Sequence, residues 1–67
     1  MNIQQRFGIK LKELRLKNGL SQEKLANLAE IDRTYLPGIE KGERNVSLSI
    51  IEKLAIALGI EITEFFN

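Results

Sequence analysis

The charged side chains of this chain are unevenly placed, and the chemistry they offer is attraction of a polyanion. Residues 1–24 carry six bases (Arg6, Lys10, Lys12, Arg15, Lys17, Lys24) against two acids (Glu13, Glu23), leaving +4. Residues 45–67 carry Lys53 against Glu52, Glu61 and Glu64, leaving −2, although the whole chain is only +1. A polyanion would be steered to the amino-terminal half, which frees the carboxy-terminal part for another task. A solvated charged face accounts for the same distribution. Other chemistry is poorly supplied. Histidine and cysteine are absent, the acids stand singly, and neither a glycine-rich loop nor a metal-ligand spacing occurs. No catalytic residue, metal or cofactor is expected.

The elements that must position these charges fit one domain. A chain of 67 residues without disulfides depends on apolar burial, and 43% apolar residues supply it. The single domain is expected over 1–67, in a reducing, cytoplasmic setting. Apolar stretches such as Leu54 to Ile60 fall well short of the ~20 residues that span a bilayer, and Met1 to Gln5 lacks the layout of a secretory signal.

Phe7, Leu11 and Leu14 recur at helical spacing between Gln4 and Asn18, and Asn18-Gly19 should end this first helix. Ser21 can cap a second, roughly Gln22 to Glu30, with Leu25, Leu28 and Ala29 inward. Asp32 offers a cap for a third opening at Arg33, burying Leu36 and Ile39 and closed by Gly42. Pro37 would then sit just past the first turn, so a kinked or partly 3₁₀ start is expected, and Pro37→Ser should stabilise the fold. Ser47 caps a fourth helix carrying Leu48, Ile51, Leu54, Ala55 and Leu58, ended by Gly59. Thr63 begins a last turn, Glu64-Phe65-Phe66. The expectation is a compact all-α, five-helix domain.

Between the second and third helices the connection is very short. Ser21 to Ala26, Asn27 to Ile31 and Asp32 to Leu36 form the pattern of a helix-turn-helix, spanning about residues 21–41. Ala26 is small where two helices cross, and Ile31 can plug the turn. Such a pair presents its second helix to the major groove.

Gly8 to Arg15, Gly19 to Ala26, Ile39 to Gly42, Asn45 to Leu48 and Leu54 to Ile60 together resemble the lambda-repressor-like, or xenobiotic-response-element, family of DNA-binding domains. Asp32-Arg33-Thr34-Tyr35, Gly38-Ile39-Glu40 and Glu43-Arg44-Asn45 look most like the controller proteins of restriction-modification systems. The resemblance implies a sequence-specific transcriptional regulator that binds double-stranded DNA at a palindromic operator as a homodimer. It implies DNA contact by Gln22, Arg33, Thr34 and Gly38, with Lys41, Arg44 and Asn45 near phosphates. Arg33 can fork onto guanine, Thr34 can meet a thymine methyl or a base edge, and Gln22 can hold a phosphate. Arg15 and Glu40 fall where the family has an ion pair between the first helix and the end of the third. Two departures stand out: Glu30 occupies a turn position usually held by glycine, and Pro37-Gly38 interrupts the recognition helix.

Dimerisation is expected of residues 48–67. Ile60, Ile62, Phe65 and Phe66, with Ile50, exceed what so small a core needs; Phe65 and Phe66 folding back into the core is the alternative. Activation would require a patch for RNA polymerase, for which Glu23, Glu30 and Glu43 are candidates. An antitoxin-like or fused accessory domain, using the same scaffold to bind a protein, is the competing function.

Overall fold

A computed structural model describes residues 1–67 and contains four α-helices, no strands, and a closing 3₁₀ helix. Helix α1 (Ile3–Lys17) starts one residue before the Gln4 expected from spacing, because Asn2 and Gln5 form a reciprocal capping box. Helix α2 (Gln22–Ala29) is capped by Ser21, whose Oγ accepts the Lys24 N–H at 3.0 Å. Helix α3 (Tyr35–Glu40) follows the turn, and α4 (Leu48–Leu58) opens at Ser47, whose Oγ accepts from the Ile50 N–H. The expected fifth helix is instead the 3₁₀ helix Ile62–Phe66. Five residues suit that tighter winding, since it completes more turns over so short a span.

The five elements close on one core in which α1 packs against α3, α2 against α4, and the 3₁₀ helix against α1. Eleven apolar residues are buried: Phe7, Leu11, Leu25, Ala26, Ala29, Leu36, Ile39, Leu54, Ala55, Leu58 and Phe65. Three expectations change here. Phe65 is only 2% exposed and its ring lies 4.8 Å from that of Phe7, so it belongs to the core and not to a dimer surface. Leu28 points out of α2, and Leu48, in the first turn of α4, is 85% exposed. Both satisfy the helical repeat, but each helix turns its narrower stripe inward, and Ala29 and Leu54 take the buried positions.

The third helix begins two residues later than expected. Asp32 does not cap it as a first residue would; its Oδ1 accepts both the Thr34 N–H at 2.8 Å and the Thr34 hydroxyl at 2.7 Å. The chain enters α3 through two i→i−3 bonds, Tyr35 to Asp32 and Leu36 to Arg33, a 3₁₀-type start. Pro37 therefore falls inside the first turn of α3, where a missing N–H costs nothing. The expected strain is absent, and Pro37→Ser has none to relieve.

Glu30 ends α2 in the left-handed conformation, φ 58° and ψ 43°, and is the one residue other than glycine with positive φ. The turn keeps the geometry that glycine would adopt freely, and an ordinary side chain bears the cost of about 1–2 kcal/mol.

Candidate nucleic-acid interface

Three contacts set the position of α3. Leu36 and Ile39 on its inner side are buried in the core. Where α3 crosses α1, Gly8 admits the backbone: a Cβ there would meet the Glu40 carbonyl oxygen at 2.7 Å, besides clashing with that of Ile39. Just beyond α3, Gly42 has φ 75° and lies so close to Gln5 that a Cβ would stand 2.8 Å from its Cα. Gly8 was read in the sequence only as part of a helix; its role as a seat is invisible until the partner helix is known.

Arg15 and Glu40 then lock the crossing. Arg15 Nε donates to Glu40 Oε2 at 2.6 Å and Nη2 to Oε1 at 3.1 Å, a two-pronged pair with side chains 9% and 4% exposed. Arg15 Nη1 also donates to the Leu20 carbonyl at 2.7 Å, and Gln22 Nε2 to Glu40 Oε1 at 3.1 Å. One guanidinium thereby joins α1, the α1–α2 connection and α3. Hydrogen bonding to Glu40 raises the Arg15 pKa further above its ordinary value, outweighing the opposing effect of burial. No buried side-chain polar atom is left without a partner.

The outer side of α3 and its flanks carry most of the sequence-expected readers. Arg33, Thr34 and Lys41 are exposed. Arg33 Nη1 donates to Glu23 Oε2 at 3.1 Å, across the turn. Gln22, Glu23, Arg33, Thr34 and Pro37 border one shallow hollow of about 300 Å³. Gln22 is half-buried because its amide is bonded to Glu40, a link the sequence reading did not anticipate.

Arg44, in the loop after α3, lies back across the helix. Its guanidinium carbon sits 5.3 Å from the centre of the Tyr35 ring. Its Nε and Cδ would be 3.0 and 3.2 Å from a Cβ on Gly38. Gly38 is thus half-buried beneath Arg44, and the two residues that seemed to weaken the recognition helix have separate explanations: position for Pro37, room for Gly38. Asn45 Oδ1 accepts a hydrogen bond from Gln4 Nε2, tying this loop to the start of α1.

At the carboxy-terminal face, Ile50 and Ile60 are half-buried against the core, whereas Ile62 and Phe66 remain 42% and 38% exposed. With Leu48 and Ile51 they border a separate hollow of about 320 Å³. Leu48, which helical spacing grouped with the core residues of α4, is joined at the surface by Ile56, 72% exposed. No helix is long and apolar enough to cross a membrane.

Comparison with known proteins agrees with this geometry. The chain is similar to the control protein C.MunI of a Mycoplasma species, with 51% identity over 67 residues that cover 98% of this chain and 90% of that protein. It is likewise similar to the control protein C.BamHI of Bacillus amyloliquefaciens, 51% identical over 61 residues, covering 90% of this chain and 75% of that one. The crystal structure of the restriction-modification controller protein C.AhdI from Aeromonas hydrophila superposes with a TM-score of 0.90 at 56% identity, over 92% of this chain and 94% of that one. The helix-turn-helix family profile matches residues 11–65, and the chain belongs to that family.

Proposed function

We propose that this chain is a sequence-specific, DNA-binding transcriptional regulator of the restriction-modification controller type, acting in the cytoplasm as a homodimer on a palindromic operator. The observation that carries the reading is the two-sided build of α3: Leu36 and Ile39 are buried on one side while Arg33 and Thr34 stand exposed at its entrance. A helix held this way can enter the major groove. Arg33 and Thr34 would meet base edges. Gln22 would keep its Glu40 bond and offer the second hydrogen of its amide nitrogen to a phosphate, and Lys41, Arg44 and Asn45 would approach phosphates. Gly38 contributes by seating Arg44.

The second copy would cover Leu48, Ile62 and Phe66, joined by the edges of Ile50 and Ile60. Transcriptional activation would need a contact to RNA polymerase, for which Glu30 and Glu43 are exposed acids without a side-chain partner, whereas Glu23 is engaged by Arg33.

Selection of bound duplexes from a random pool, followed by mobility shift at increasing salt, tests the proposal. A palindromic motif is expected. With six to ten phosphate contacts, affinity should fall by roughly 10³ to 10⁵ between 50 and 200 mM salt. Unaltered mobility of the selected pool in dilute buffer would overturn it.

A further inference from the structure

On the face proposed to meet DNA, one group has the wrong sign. Glu23 stands in the first turn of α2, its side chain 62% exposed, beside the 68% exposed Arg33. An exposed ion pair contributes little to stability, and a carboxylate facing a polyanion opposes binding. Position near the positive end of α2 gives Glu23 a modest structural use, but it does not explain why the acid reaches across the turn to Arg33.

The arrangement of donors and acceptors does. Arg33 gives one hydrogen of Nη1 to Glu23, which leaves the second hydrogen of Nη1 and both of Nη2 unengaged by the protein; Glu23 Oε1 likewise accepts no bond from the protein. A guanidinium presents five N–H donors in a fixed fork, so the outer hydrogen of Nη1 can hold the acid while Nη2 and the inner hydrogen of Nη1 fork onto a base. In the major groove a G·C pair displays, in order, the acceptors N7 and O6 of guanine and the amino donor N4 of cytosine. Arg33 and Glu23, side by side at hydrogen-bond distance, display donor, donor, acceptor. O6 and N4 are themselves joined by one hydrogen bond, the same spacing class as Nη1 and Oε2. An A·T pair displays acceptor, donor, acceptor instead, so its thymine O4 would face the carboxylate with no hydrogen between them.

We propose that Glu23 is a specificity-determining residue that reads, together with Arg33, a single G·C base pair as one three-contact unit. Arg33 takes the guanine and Glu23 takes the amino group of the cytosine paired with it. The pairing also biases the Arg33 side chain toward this placement before encounter, which modestly reduces the freedom lost on binding. This inference rests on the DNA-binding function proposed above.

The test compares wild type, Glu23→Gln, Glu23→Ala and Arg33→Ala by duplex selection, then measures affinity for the selected site and for the site with each base pair replaced in turn. Thermal melting of each variant checks that it is folded. Glu23→Gln, whose amide can turn to donate to thymine O4, should reduce the G·C over A·T preference at one position by roughly tenfold and leave the others unchanged. Glu23→Ala should lose selectivity at that same position and bind unrelated DNA severalfold more tightly. Arg33→Ala should erase the preference at the same position. A merely structural Glu23 would change melting temperature and not the motif. A wild-type motif preserved at every position in both Glu23 variants overturns the inference while leaving the DNA-binding function intact. Absence of any wild-type motif overturns both.

Discussion

Gly8 of α1 lies against the backbone of Glu40 at the end of α3, so close that a methyl group on Gly8 would sit 2.7 Å from the Glu40 carbonyl oxygen. The obstacle is main chain on both sides and cannot swing away. Gly8→Ala gains helix propensity of up to about 1 kcal/mol, yet overpacking of this kind costs about 1–3 kcal/mol or more. Because the clash would displace α3, the expected result is a lower melting temperature together with weakened operator binding, read by circular dichroism and mobility shift. A variant of unchanged stability would mean that the helices can separate freely at this crossing.

Glu30 holds a left-handed backbone without being glycine. Replacement by glycine removes a cost of about 1–2 kcal/mol but adds chain entropy to the unfolded state. A net gain of about 0.5–1 kcal/mol is expected, which in a domain of this size raises the melting temperature by about 2–8 °C. Glu30→Ala, which keeps a Cβ, should show no such gain, so equal melting of the two variants would contradict the strain argument.

Asp32 supplies a pH dependence. Hydrogen bonds from the Thr34 N–H, then from its hydroxyl, hold the carboxyl below its ordinary value. A carboxyl whose folded pKa is depressed stabilises the fold fully above its unfolded pKa, about 3.9, and loses that contribution as pH falls through the lower folded value. The melting temperatures of wild type and Asp32→Ala should therefore differ by a constant amount above about pH 5 and converge below about pH 4. A carboxyl titration followed by NMR should place the Asp32 midpoint on the low side; a midpoint at or above the ordinary value would remove the turn from the account.

The apolar face formed by Leu48, Ile62 and Phe66 predicts a specific way to make monomers. Leu48→Glu with Ile62→Glu places charge on exposed positions, so folding should persist while self-association, measured by sedimentation, weakens by more than tenfold. Phe65→Glu, by contrast, puts a charge in the core and should unfold the chain. A dimer that survives the paired change would locate the contact elsewhere on the surface.

The helix boundaries set by side-chain caps were legible in the sequence. Ser21, Ser47 and Gly59 announce themselves because the bond or conformation involved is local, and each stands where spacing placed it. The Arg15–Glu40 pair was legible only through the family pattern, since nothing in a spacing of 25 residues reveals a contact. The 3₁₀-type entrance to α3 was legible from Pro37, but its first residue was not: Asp32 can serve a cap or a turn equally well, and the choice depends on how Leu36 reaches the core. The same cause exposes Leu28 and Leu48, because a helical repeat offers several inward faces and only the neighbouring helix selects one. The pairing of Glu23 with Arg33 could not be read either, as the two meet across a turn whose geometry Glu30 determines.

The division of α3 into an anchored inner side and an unanchored entrance bears on how such a regulator could be redirected. Leu36, Ile39 and Glu40 carry the attachment, whereas positions 23, 33 and 34 lie outside it. With base reading at those outer positions as proposed, codon changes there would alter target choice without taxing foldability, so related regulators could diverge toward separate operators and coexist in one cell without crosstalk.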